Sequence, residues 1–294
     1  MENTLSFEEF MEVVKEKAEE RTHAHANVHV VRKNNGLSLM GLTIREDNIN
    51  ISPTIYLDYY YEDYQQKGFD EVFEEIMDAY EKNKHTESLD LSFCTDYEKV
   101  RDKLRIRLCN YEMNKEQLQD VPHIKYLDLV MVFQIVMESV EYGSATILIH
   151  NHFLDRWGKT TEDLYAEAME NMKSECEITS MVSILANIGL CDFTDEMNGS
   201  MYVMTNSLKV YGAATMLLKD RLAQFATEED CRYVVILPSS VHEILLLSHH
   251  SIENVHELAN MVKDVNDTQV EDIEVLSYNV YVYDSMTNEI TIAE

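Results

Sequence analysis

A chain with a net charge of −30 can fold only by leaving most of its carboxylates in water, so its helices and strands must each separate a charged face from an apolar one. Fifty-four Asp and Glu stand against twenty-four Lys and Arg in 294 residues. The excess is uneven. Residues 51–100 hold thirteen acids and four bases, residues 251–294 hold ten and one, and residues 201–250 hold five and four. Such a field repels nucleic-acid phosphates and anionic lipid, which argues against direct nucleic-acid binding and against membrane association. A partner chosen by charge is expected to be basic, with an affinity that falls as salt screens the attraction over about 8–10 Å.

The 45% hydrophobic content supplies a packed core rather than a disordered acidic tail. The length suits two subdomains, and the expected division is residues 1–125 and 126–294. The longest apolar runs, such as Leu129 to Phe133, fall far short of the ~20 residues that span a bilayer. The N-terminus shows no basic region followed by an apolar one, the pattern of a secretory leader. Cys94, Cys109, Cys176, Cys191 and Cys231 are widely spaced with no C-x-x-C pair, which fits reduced thiols better than disulfides or a zinc site. A cytoplasmic protein is the expectation.

Local patterns place helices and hairpins in blocks. Ser6 and Glu9 form an S-x-x-E capping box before Phe7, Phe10, Val13, Val14 and Ala18, which predicts a helix to about Arg21. Asn27 to Arg32 and Leu37 to Arg45 read as a hairpin through Asn34-Asn35-Gly36. Asn50 to Leu57 reads as an edge strand marked by Pro53. Two helices follow, the first ended by Gly68 and the second capped by Asp70. Leu104, Ile106 and Leu108 alternate with Arg105 and Arg107 as a strand does, and Asn114 is expected to cap a short helix before Pro122. Ile124 to Met137 and Ala145 to Ile149 form a central hairpin. Asn151 and Thr161 are expected to cap the next two helices.

After a short strand at Met201 to Met204, Leu208, Tyr211, Thr215, Leu218, Leu222 and Phe225 step by three and four as one face of a long helix. Tyr233 to Leu237 is an apolar strand, with helices expected from Ser240 and from Ile252 to Lys263. A final hairpin covers Val275 to Tyr283 and Glu289 to Ile292. The fold class is therefore α+β, antiparallel hairpins with packed helices.

Three phrases, Ile236 to Glu243, Met201 to Asn206 and Asn50 to Leu57, resemble an uncharacterised family of bacterial proteins from Gram-positive anaerobes, a domain of unknown function. The resemblance runs over nearly the whole chain. It implies a bacterial, intracellular setting and brings no activity and no functional residues with it.

Few residues offer chemistry. Ser240 and Glu243 flank His242 after a buried strand, where hydrolases place a nucleophile, yet the G-x-S-x-G glycines are missing and a second capping box explains the pair. His150 and His152, with Asp155 nearby, have the H-x-H spacing of a metal site, but a helix capped by Asn151 would separate the rings. His23, His25 and His29 form a polar connection, and His249-His250 a loop pair. Asn34-Asn35-Gly36 lacks the lysine and glycines of a phosphate loop. Tyr59, Tyr60, Tyr61 and Tyr64 divide between core and rim, with an interface as the functional alternative. The expectation is a non-enzymatic interaction or regulatory protein with a protein partner, without metal or cofactor. The alternatives are an acidic mimic of nucleic acid that occupies a basic cleft, and a hydrolase or metal enzyme using residues 150–155 or 238–243.

Overall fold

The computed structural model describes residues 4–88, 90, 92–139, 143–187, 189, 201–249 and 255–293. The chain divides into two compact units, Met1–Ser92 and Phe93–Glu294. The expected cut at 125/126 would have parted strands of one sheet, because Leu104–Asn110 pairs along its whole length with residues 129–135.

In the first unit, helix α1 (Phe7–Thr22) starts at the foreseen capping box, with Ser6 accepting the Glu9 N–H and Glu9 accepting that of Ser6. Its apolar face buries Phe10, Val14 and Ala18. Strands β1 (His25–Arg32), β2 (Ser38–Arg45) and β3 (Thr54–Tyr56) make an antiparallel sheet in the order β1-β2-β3. Asn35 and Gly36, at φ 61° and 73°, turn the hairpin in the left-handed region, as their residue types allow. Strand β3 begins after Pro53 and lies at an edge, where a missing N–H is tolerated.

Helices α2 (Leu57–Lys67) and α3 (Phe69–Asn83) meet at Gly68, whose φ of 86° suits glycine. Gly68, rather than Asp70, occupies the cap position, and Asp70 lies in the first turn paired with Lys17. Ala26, Leu42, Ile44 and Ile55 share one sheet face and pack with Val72, Phe73, Ile76, Met77 and Tyr80. Burying each large side chain of this set stabilises the unit by roughly 1.5–3 kcal/mol. The helices thus cover one face of the sheet, and the opposite face carries His25, Asn27, His29, Thr43 and Arg45.

The second unit holds two further antiparallel sheets. Strands β4 (Leu104–Asn110), β5 (His123–Tyr126), β6 (Leu129–Ser139) and β7 (Gly143–Leu148) centre on β6, which pairs with β4 on one edge and with β5 and then β7 on the other. Strand β6 is apolar on both faces because Leu129, Met131, Phe133 and Ile135 enter the main core while Val130 and Val132 enter a smaller one. Short helices α4 (Tyr97–Val100) and α5 (Tyr111–Asn114) flank β4. Asn110 caps α5 and Asn114 ends it, so the expected Asn114 cap lies one turn too late.

Helix α6 (Asn151–Trp157) and helix α7 (Thr161–Lys173) follow, with caps at His150 and Thr160, each one residue before its expected place. Thr160 and Asp163 form a capping box, and the Thr160 N–H holds the Asp163 carboxyl below the usual range. The chain continues through β8 (Cys176–Ser180), α8 (Met181–Asn187), β9 (Met201–Asn206), α9 (Lys219–Glu228), β10 (Tyr233–Pro238), β11 (Ile244–His249), α10 (Val255–Gln269), β12 (Tyr281–Asp284) and β13 (Glu289–Ile292). The second sheet has the order β13-β12-β10-β11-β9-β8.

Two expectations fail here for physical reasons. The long helix from Leu208 is instead a buried 3-10 turn, Gly212–Leu217, broken from α9 at Leu218. Tyr211 is left-handed at φ 53°, which stops a helix before it starts. The helix expected at Ser240 is instead the turn of a hairpin, since Pro238 pairs with Ile244 and the Ser240 N–H reaches the Glu243 carbonyl at 3.2 Å. Cross-strand pairing of Ile244 to Leu247 outweighs the local S-x-x-E signal.

Tyrosines set the alkaline limit of the second unit. Burial pushes Tyr126 up to about 12. Tyr202 is also raised to about 12, chiefly by the hydrogen bond that its hydroxyl donates to Glu229 at 2.6 Å. The unfolded chain ionises near pH 10, so the folded state holds more protons above that point. Their stabilisation is complete below pH ~10 and is lost as pH rises toward 12. Urea midpoints should be level at neutral pH and fall steadily above about pH 10. A midpoint independent of pH in that range would contradict these protonation states.

Candidate functional site

The residues singled out in the sequence do not assemble into one site. The turn of the β10–β11 hairpin brings the Ser240 hydroxyl to the His242 backbone N–H at 3.0 Å, and the imidazole points elsewhere. His242 Nδ1 accepts the Tyr211 N–H at 3.1 Å, and Nε2 lies 3.5 Å from Glu274. The ring stacks on Tyr211, over which the Arg107 guanidinium sits at 4.3 Å. With Nδ1 fixed as an acceptor and Nε2 facing a carboxylate, this histidine orients a turn. It has no ring nitrogen left to activate Ser240.

His150 and His152 come closer than their helical placement suggested. Their rings stack at 5.9 Å, and His150 Nδ1 lies 3.2 Å from Asp120. His152 also packs on Phe153 at 4.4 Å. Among the described residues no group of three His, Cys, Asp or Glu is placed to hold a metal ion.

The tyrosines of α2 split as foreseen. Tyr60, Tyr61 and Tyr64 pack on the first unit's core, and Tyr59 is exposed. Tyr61 donates to the Leu5 carbonyl at 3.0 Å and Tyr64 accepts the Leu5 N–H at 2.9 Å, so these hydroxyls hold the start of α1. His249 belongs to β11 opposite Tyr233 rather than to a loop, and His250 lies outside the described residues. His23 ends α1 in the left-handed conformation.

His25 and His29 lead to a feature with the form of a binding site. On the outer face of the β1–β2 hairpin, His25 stands opposite Arg45, Asn27 opposite Thr43 and His29 opposite Gly41. A cleft of about 370 Å³ opens there, lined by Asn27, His29, Thr43 and Arg45 and closed by residues 49–52. A smaller hollow of about 140 Å³ extends it toward His25. Gly41 admits no side chain, since a Cβ would meet the Thr54 and Val31 methyl groups at 2.5 and 2.7 Å.

The donors of the cleft divide into used and unused. Thr43 Oγ1 donates to the Asn27 carbonyl and Ser52 Oγ to that of Ile44. His25 is committed to Glu19 at 3.0 Å. The Ala26 N–H holds the Glu19 carboxyl below its usual range, with His25 adding to the effect. Arg45 is exposed and has no ion pair among the described residues. His29 Nδ1 is buried without a hydrogen-bond partner among them.

The sequence carries a signal for this surface. No acidic residue occurs from Arg21 through Arg45, a stretch with four bases and three histidines. Around it, the first 92 residues hold nine bases and twenty acids, a net of −11. Averaging charge over fixed blocks of fifty hides the segregation, because acids at both ends of residues 1–50 offset these bases.

The molecule is thus an α+β protein of two compact units, with a donor-rich cleft on an acid-free hairpin of the first. The chain belongs to the family of unknown function DUF5688, whose pattern matches residues 7–285. No curated protein and no solved structure matches it.

Proposed function

We propose that this chain is a non-enzymatic interaction protein of a bacterial cytoplasm and that it meets a protein partner through the β1–β2 hairpin. The observation that carries this reading is the charge segregation: Arg21 to Arg45 holds no acid in a chain of net −30. Arg32 and Arg45 on that hairpin are exposed, and neither has an ion pair among the described residues. Elsewhere on the chain lysines and arginines are commonly paired, as Arg105 is with Glu175 and Arg232 with Asp284. A desolvated contact makes an unpaired guanidinium worth more than a surface one, and arginine is enriched where interfaces concentrate their affinity.

The bulk field still favours a partner of basic or neutral net charge, which the hairpin then engages at contact distance through an acidic segment. A reducing compartment is supported by Cys94, Cys109, Cys176 and Cys231, all buried free thiols. No described helix is long and apolar enough to cross a membrane.

The test is affinity purification of tagged protein from its host, in parallel with Arg32→Glu and Arg45→Glu combined. A partner retained by the wild type should be depleted at least about tenfold by the double variant, with an unchanged melting temperature. Equal recovery by both proteins would move the interface away from this hairpin.

A further inference from the structure

We propose that the cleft beside this hairpin is a carboxylate-binding site that takes an acidic side chain from an extended peptide. The inference rests on the reading of the hairpin as the contact surface and adds the chemistry of what it recognises. With Thr43 and Ser52 already donating to carbonyls and Asn50 engaged within the protein, the groups left to a ligand are the Arg45 guanidinium, the Asn27 amide and the His29 ring. All three can donate hydrogen bonds, and among the described residues no Asp or Glu lines the cleft. Arg45 offers a planar fork, which matches the two oxygens of a carboxylate.

The charge balance selects among anions. Among the described residues the cleft contains one permanent cation, Arg45, inside a unit of net −11, which compensates a monoanion. A phosphate monoester brings close to two negative charges and would meet a surplus of repulsion. Ile49 and Ile51 on the closing wall give the methylenes of a glutamate side chain an apolar surface. His29 Nδ1 is buried without a hydrogen-bond partner among the described residues, so no contact at that nitrogen fixes the tautomer in which the ring meets a ligand. An extended peptide suits the location, because β1 lies at the edge of its sheet and has a strand neighbour, β2, on one side alone, although its Ala26 N–H is already taken by Glu19.

The experiment uses the full chain labelled with 15N at arginine and asparagine. The probe is a capped, amidated seven-residue peptide with one central Glu among Ser and Val. Saturable shifts of the Arg45 Nε–H and Asn27 amide signals are expected, with a Kd in the millimolar range set by a single charge-assisted contact. The same peptide with Gln should leave both signals in place. Arg45→Gln should weaken binding at least about tenfold, and Arg45→Lys less, since a point charge keeps attraction but loses the fork.

Equal response to the Glu and Gln peptides overturns the assignment. Saturation by inorganic phosphate at lower concentration than by peptide overturns it in favour of a phosphate site. Preference for a free C-terminal carboxylate over the internal Glu overturns the side-chain source. If the peptide fails while the double charge reversal still loses its partner, the interaction surface stands and only the cleft chemistry falls.

Discussion

Replacing Gly212 with alanine is expected to destabilise the protein by about 3–5 kcal/mol, a large share of the stability of an ordinary domain. A Cβ at this position would lie 2.2 Å from Thr205 Oγ1, 2.6 Å from the His242 carbonyl oxygen and 2.7 Å from the Asn206 amide nitrogen. Two of these three atoms are backbone, held in place by strand β9 and by the turn that follows β10, so rotamer changes alone cannot relieve the clash. Thermal melts decide the matter, and Gly158→Ala is the informative control. Gly158 has open space around its missing Cβ but a φ of 62°. It should lose only about 1–2 kcal/mol, from the left-handed conformation. If the two variants melt alike, crowding at Gly212 is not what governs that position.

The second large effect is expected at Asp128. It sits in the two-residue turn between β5 and β6 and accepts hydrogen bonds from Ser277 at 2.7 Å, Asn279 at 3.0 Å and Tyr281 at 2.8 Å. Ser277 and Tyr281 are fully buried. Burial, followed by the neighbouring Asp128 charge, raises the Tyr281 phenol far above its ordinary range, so it remains a donor at any pH at which the protein is folded. Asp128→Ala strands both hydroxyls and should destabilise by roughly 2–4 kcal/mol. Tyr281→Phe alone removes one donor and should be milder. A cycle of the two variants should show coupling above about 0.5 kcal/mol in urea unfolding. Strict additivity would mean that this buried hydrogen bond does not contribute as a unit.

Much of the fold was legible where one physical signal acted locally. Ser6 and Glu9 satisfy helix N–H groups from three residues away, and Asn35-Gly36 supplies the positive φ of a turn by residue type alone. Ile244 to Leu247 shows where such signals fail. Its preceding Ser240 and Glu243 spell a capping box, but pairing to β9 and β10 on both sides decides the conformation. The stepped apolar residues from Leu208 misled for a related cause, because an i, i+3 pattern also describes a chain folded into a buried 3-10 turn.

The candidate cleft was the least legible feature. Its residues come from two strands and the loop at 49–52, and only the register of His25 with Arg45 places them together. The histidines read as a loose connection because His25 and His29 meet neighbours across the hairpin, Arg45 and Gly41, that are distant in sequence. A run free of acid in so acidic a chain was the accessible clue.

The order of the six-stranded sheet has a consequence for synthesis. Strand β10 is hydrogen-bonded to β11 on one edge and to β12 on the other, so its second edge stays open until residues 281–284 exist. Asp128 likewise waits through some 150 residues of elongation for Tyr281. The core that runs from Phe10 to Tyr80 has no such delay. At the usual pace of translation, on the order of 5–20 residues per second, the first unit has several seconds in which to fold before residues 281–284 complete the second edge of β10. The nascent chain therefore passes through a stage in which a finished, acidic N-terminal unit is tethered to an apolar strand with one open edge. The charge of that first unit keeps such an intermediate in solution while the last strands arrive.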